Sequence, residues 1–254
     1  FFFIFFLLNY NFFFANVDPY CNNIISQDLL YKIDHTKPQL IEIEIHDNRG
    51  WQKNNLEMVM DIAKQENVWV IKKKYKKNFK ATLHVKFDDK IKCSFQAKVR
   101  QHGDYRDHIQ LVNGNIFQSL NVDLKTGHIN GITNFILFKP LTRKSPEDEI
   151  FLTELLRELD FLAPRTSFIK VNVNNLTLTM LFQEKAEKEL LEYNLRREGP
   201  ILEGDERYRE SFGKEIAKVQ LARQTNTNWA AKGIQHQKIS HEALTQLNWF
   251  YLLT

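Results

Sequence analysis

Two cysteines, nine glycines and six prolines are all that 254 residues hold of the types that staple, bend or punctuate a chain. Cys21 and Cys93 are too few for a disulfide framework or a zinc site. A single bridge is open to them, but two unrelated thiols is the favoured reading. No Gly-x-Ser-x-Gly occurs and neither cysteine sits in a motif, which excludes the common serine and cysteine hydrolase signatures. Charge of one sign is also in short supply. The net +4 from 35 basic and 31 acidic residues is modest for this length and does not by itself argue for nucleic acid, so none is an implied partner. No internal repeat and no low-complexity linker breaks the chain.

A long hydrophobic run is missing as well. FFFIFFLLNYNFFFANVDPY opens the sequence, but Asn9 and Asn11 interrupt it before the ~20 residues that a spanning helix needs. Residues 1–16 therefore read as a hydrophobic leader or anchor remnant, similar to the apolar part of a signal peptide without its basic start. An upstream extension encoded by AT-rich sequence is the bland alternative. Export, or a cell-surface place with a membrane anchor at the N-terminus, is the expectation that this segment carries.

What is present is a globular composition, 43% hydrophobic and 26% charged. QLIEIEIH (39–46) alternates as a strand, and NNLEMVMDIAKQ (54–65) reads as a short helix. VIKKKYKKNFK (70–80) is a basic connector whose lysines repel and stay solvated, or else a docking patch for an acidic partner. These make up an N-terminal α/β extension over 17–78. FKATLHVKFDDKIKCSFQAKVR then predicts an antiparallel hairpin turning at Asp88-Asp89-Lys90, with apolar residues at every second place in both strands. NIFQSLNVDLK (115–125) and ITNFILFKP (132–140) are two further strands. Ser145, Pro146 and the acids at 147–149 start a helix whose Ile150, Leu152, Leu155, Leu156, Leu159 and Leu162 share one face. A second hairpin turns at Asn174-Asn175, since asparagine tolerates positive φ. From Glu184 the pattern turns helical through EKAEKELLEYNLRR, RYRESFGKEIAKVQLAR and SHEALTQLNWFYLLT, with a loop around GPILEGDE. The expected fold is α+β, an antiparallel sheet with one helix followed by a helical part.

Between the first hairpin and the next strand stands RQHGDYRDH (100–108), a cluster of arginines, histidines and aspartates around one glycine. Arg100 and Arg106 can grip a phosphate, and Gly103 can adopt positive φ so that backbone approaches a ligand. Equally, Arg100 can pair with Asp104 or Asp107 and merely hold a turn. A metal site of His102, His108, Asp104 and Asp107 matches no standard zinc spacing, so no metal ligand is assigned.

Several phrases resemble the CotH kinases, the atypical kinases similar to spore coat protein H. Arg100-Gln101-His102-Gly103-Asp104 stands where that family has an R-G-N-type element after a strand. SLNVDLK (119–125) follows the pattern SFRLKL, and ELDFLAPRTSFIKVNVNN (158–175) follows "ELGLPAPRTSFVELYING" closely. LTLTMLFQEKA (176–186) corresponds to "GLYLLTEQID", and ILEGDE (201–206) replaces an "LYK"-like element. The likeness covers roughly 79–210. It implies a protein-kinase-like N-lobe over 79–183 and the start of a helical C-lobe over 184–254. ATP with Mg²⁺ would be the cofactor, its acidic metal ligands expected beyond Thr254, and a protein Ser or Thr the substrate; this segment alone would be inactive.

On that likeness Lys139, at the end of FILFK, and Glu149, in the first helical turn, stand for the lysine–glutamate pair that catalysis needs. A strand-end lysine and a first-turn acid are also common without any such role. Arg100, Gly103, Asp104 and Arg106 stand for the phosphate loop, and Glu184 for the crossing between lobes where a nucleotide base meets backbone. Glu184 can equally be a helix-cap acid, and EGDE (203–206) an ordinary turn. The alternative function is a non-catalytic, pseudokinase-like binding module at the surface or outside the cell, which the missing basic residues before Ser119 and the altered "LYK" element favour. A polysaccharide-binding sheet would call for aromatics on the first hairpin's polar face, where Lys, Thr and Ser stand instead. The sequence leaves the oligomeric state open.

Overall fold

The fold is known from a computed structural model, which describes Cys21 and residues 37–65, 70–87, 91–112, 114–139, 142, 145–205 and 221–253. Residues 1–16, the turn at Asp88-Asp89-Lys90 and residues 207–220 of the expected helix RYRESFGKEIAKVQLAR lie outside them.

Seven strands form a closed barrel: β1 (Leu40–Ile45), β2 (Phe79–Lys86), β3 (Lys92–Gln101), β6 (Leu120–Leu124), β7 (Asn134–Phe138), β9 (Leu176–Glu184) and β8 (Thr166–Val173), in that spatial order. Each neighbour pair is antiparallel except β1–β8, which is parallel and closes the ring. The period-2 pattern explains the staves. Ala81, Leu83 and Val85 of β2 face Ala97, Phe95 and Cys93 of β3, and all six are buried. Ile41, Ile43 and Ile45 complete that wall, and Phe135 of β7 stacks on Phe182 of the neighbouring β9 with ring centroids 4.6 Å apart. Each of the valine, leucine, isoleucine and phenylalanine side chains among them contributes roughly 1.5–3 kcal/mol by leaving water.

This barrel overturns the expected kinase-like N-lobe of one open sheet and one helix. The decisive segment is LIEIEI, which the sequence placed in an N-terminal extension. Its alternation fixes a half-buried strand but not the edges it joins. Ile41 pairs with Val85 on one side and with Val171 on the other, so both sheet edges vanish into one ring.

Other expectations hold in part. The hairpin β2–β3 and the turn at Asn174 (φ 51°) and Asn175 (φ 65°) form as read. The helix of 54–65 is longer, α1 (Asn48–Ala63), capped by Asp47, whose Oδ1 accepts the Gly50 N–H at 2.9 Å. NIFQSLNVDLK breaks at Ser119 into β5 (Asn115–Gln118) and β6, and β5 pairs with an unforeseen β4 (Ile109–Val112). Helix α2 (Pro146–Glu158) begins after Ser145, whose side chain makes no capping bond. It lies beside β8 yet buries no residue, and Leu152, Leu155, Leu156 and Leu159 are 40–59% exposed.

Toward the C-terminus the described residues are less helical than their pattern. Among the described residues α3 (Lys188–Tyr193) covers only part of EKAEKELLEYNLRR, and ILEGDE supplies β10 (Leu202–Asp205), paired with β11 (Leu221–Gln224). Short α4 (Thr227–Ala230) and long α5 (Ile234–Leu253) end the described chain. Among the described residues no helix is long and apolar enough to cross a membrane.

One local reading changes and another is filled in. Cys21 and Cys93 are joined in a disulfide, replacing two unrelated thiols. Their separation of 72 residues hid a partnership that the isolated bridge Cys21–Cys93 beside β3 creates. In the basic run Lys72, Lys73, Lys74, Lys77 and Lys80 are exposed as expected of a solvated connector, while Ile71 and Tyr75 between them pack with Met58 and Ile62 of α1. Lys72 turns out to meet Asp61 at 2.8 Å.

Candidate anion site at one end of the barrel

β3 runs out at Gln101, and the next seven residues make a loop that a single serine holds. Ser119 donates its N–H to His108 O (2.9 Å) and accepts the His102 N–H on its carbonyl (2.8 Å). Its hydroxyl oxygen accepts the Lys139 N–H at 3.0 Å. Ser119 is fully buried, so this break between β5 and β6 ties the 102–108 loop to the end of β7. From the other side Asp104 O accepts the Ile71 N–H at 2.7 Å, and Asp104's carboxylate meets Lys76.

Gly103 stands in this loop at φ +92°. A Cβ there would lie 2.0 Å from His108 Cδ2. Close packing of an imidazole thus explains the glycine, on the face where a ligand had been expected. The His102 ring meets His108 and Phe138 edge to face at 5.5 and 5.3 Å. Burial, then the charges of His108, Arg100 and Lys76, push His102 from 6.5 down to about 3 against the pull of Asp104. It is a neutral packing group at ordinary pH.

The loop borders a cleft of about 740 Å³ whose other walls are the ends of β7 and β9 and the β10–β11 ribbon. Arg100, Gly103, Asp104 and Glu184 all line it, so four of the residues singled out from sequence converge. Arg106 is exposed and is not part of the lining. Lys139 and Glu149 do not line the cleft either. Lys139 is buried at the end of β7, where desolvation lowers its pKa and Asp107 partly restores it. Glu149 accepts a hydrogen bond from Gln183 Nε2 at 2.6 Å, and Gln183 reaches the cleft.

Charge around the cleft is mostly spent internally. Glu184 is clamped by Arg165, Glu187 lies 3.3 Å from Lys185, and Glu203 lies 2.5 Å from Arg223. Burial would raise Asp104, yet the hydrogen bond and charge of Lys76 hold it below the ordinary carboxylate range. Arg100 differs. Its one hydrogen bond among the described residues is a long 3.4 Å contact to Gln101 O, and no carboxylate there lies within ion-pair distance. Desolvation lowers its pKa, while Asp104 acts from further off to raise it. A half-buried guanidinium so placed is stabilised by an incoming anion.

Among the described residues no group of three His, Cys, Asp or Glu side chains converges as a metal site. Sequence reasoning missed Ser119, Arg165 and Lys76. A serine inside a β pattern gave no signal, whereas Arg165 stood in the open within APRTSF. Compared with known proteins, the chain matches no family model and no curated protein.

Proposed function

We propose that the cleft binds the phosphates of a nucleotide, ATP being the one that the CotH-like phrases imply. With Mg²⁺ bound beside it, the γ-phosphate would pass to a protein serine or threonine. The reading rests on the site and on the sequence phrases; the barrel lends it no support from kinase architecture.

One observation carries it: Arg100 is the cation of the cleft that has no carboxylate of its own, whereas Lys76, Lys185 and Arg223 each have one. Its planar fork suits two oxygens of a phosphate. The residues present thus fit the phosphates. The carboxylates beside them are engaged with cations, so the described chain offers positioning and charge neutralisation, which are most of what phosphoryl transfer asks of a protein.

The test is calorimetric titration of the chain with ATP, ADP and pyrophosphate, with and without Mg²⁺. Binding that weakens at least tenfold in Arg100→Ala and less in Arg100→Lys supports the reading. No heat with any of the three, or equal affinity in Arg100→Ala, overturns it.

A second reading, the non-catalytic binding module, is favoured by the exposed apolar face of α2. Leu152, Leu155, Leu156 and Leu159 form a stripe of the kind that marks a protein contact.

A further inference from the structure

A surface helix normally turns its apolar stripe to the protein that carries it. Helix α2 does the opposite. Its partly buried positions are Pro146, Glu149, Ile150, Thr153 and Arg157, a seam at i, i+3, i+4, i+7 and i+11. That seam faces the barrel, since Glu149 accepts from Gln183 of β9. At about 100° per residue, Leu152, Leu155, Leu156 and Leu159 stand roughly half a turn from the seam and point to solvent. Phe151, 65% exposed, widens the stripe. At the helix end the Phe161 N–H donates to Leu156 O at 2.8 Å, which brings another exposed phenylalanine back beside the last turn. Single exposed leucines need no explanation, but a contiguous stripe on a helix whose barrel takes the more polar side does.

Charge beside the stripe indicates what covers it. Glu147, Glu154 and Glu158 share one flank at i, i+7 and i+11, and Asp148 stands at the head; all four are exposed. The helix's one base, Arg157, is paired with Glu154, and Arg196 beyond the helix with Asp160 at 3.0 Å. Two copies of α2 laid together would set acids against acids. The basic run of a second copy is no better, because its Ile71 and Tyr75 are spent against α1. An anionic lipid surface would be repelled. Residues 1–16 are apolar but uncharged, so they would leave the glutamates unanswered.

We propose that α2 docks a basic amphipathic helix of a partner protein, its leucines against the partner's apolar stripe and its glutamates against flanking lysines or arginines. This partner belongs to the binding-module reading and rests on it, while the nucleotide cleft plays no part.

Fluorescence anisotropy of the full chain tests it with three labelled helical peptides that share one leucine stripe, flanked by lysine, serine or glutamate. The Lys-flanked peptide should bind about tenfold more tightly than the Ser-flanked one, and the Glu-flanked one more weakly still. The chain's net +4 would by itself favour glutamate, so a preference for lysine reports the local flank. Leu155→Ser/Leu159→Ser should abolish binding without shifting thermal unfolding, because both leucines are exposed. Glu154→Gln/Glu158→Gln should erase the preference for lysine and keep the leucine-dependent part. Binding of the Ser- or Glu-flanked peptide as tight as that of the Lys-flanked one overturns the basic partner and leaves the binding-module reading standing. No binding of any peptide, or binding that survives the leucine changes, takes both down. A dimer in analytical ultracentrifugation that dissociates in Leu155→Ser/Leu159→Ser, or tighter binding to phosphatidylglycerol vesicles than to the Lys-flanked peptide, overturns the proposal in favour of a second copy or a membrane.

Discussion

Arg165 holds Glu184 with both arms of its guanidinium, Nε to Oε2 at 2.9 Å and Nη2 to Oε1 at 2.7 Å. The same Arg165 bonds Asn130 O at 2.5 Å through Nη1 and lies 4.1 Å from the Tyr193 ring centre. Glu184 is 2% exposed. A carboxylate so deeply placed has its charge balanced on the spot, which makes the pair a brace across the ends of β8 and β9.

Glu184→Gln leaves Arg165 half-buried and unmatched, and should cost about 3–5 kcal/mol in urea unfolding. Replacing both residues by leucine should recover much of that loss. Were Glu184 instead a ligand group, Glu184→Gln would lower nucleotide affinity at unchanged stability, so the two measurements separate the roles.

His102 makes stability fall in acid. Its folded pKa of about 3 lies below the ordinary 6.5. As pH drops through 6.5 the unfolded chain takes up a proton that the folded chain refuses until about pH 3, so protons favour unfolding across that window. His102→Phe keeps the edge-to-face packing and removes the proton site. Its urea midpoint should therefore fall less than the wild type's between about pH 7 and pH 4.

Gly103→Ala combines a left-handed backbone with a Cβ inside the His108 ring. The sum of these two costs is roughly 2–5 kcal/mol. The double variant Gly103→Ala/His108→Ala should regain the steric share and keep the conformational one. Thermal unfolding of the three proteins checks this.

Reduction should also tell. Opening a cross-link that spans 72 residues is worth about 4 kcal/mol in the chain-entropy estimate. Cys21→Ser should lower stability by about that amount and abolish the response to dithiothreitol. Because such bonds persist in oxidising compartments, finding the intact bridge by peptide mass spectrometry of native material would favour export.

How much of this was legible depends on the range of the interaction. The β2–β3 hairpin was plain because two period-2 runs lie side by side, and Asn174-Asn175 was plain because both residues tolerate positive φ. The start of α2 was equally local. The β4–β5 hairpin left a signal that went unread: IQLV and NIFQ flank Asn113-Gly114, and Asn-Gly is the strongest two-residue hairpin signature. Barrel closure left none, since alternation in LIEIEI cannot say which strands it will meet. At the site, crowding around Gly103 was visible from the letters alone. That Arg100 lacks a carboxylate, while Asp104 answers to Lys76 from the basic run, was not; pairing across 28 residues belongs to the fold.

The parallel join of β1 to β8 orders events during synthesis. Leu40 meets Lys170 and Ile43 meets Val173, so the first stave waits for a strand made far later. Until β9 has followed β8, at residue 184, the nascent sheet keeps raw backbone edges, and before β8 arrives Ile41, Ile43 and Ile45 have only half a wall to cover them. The finished ring offers no edge for another chain to extend, whereas the growing one offers two. The exposure of strand edges thus belongs to the unfinished chain and ends when the barrel shuts.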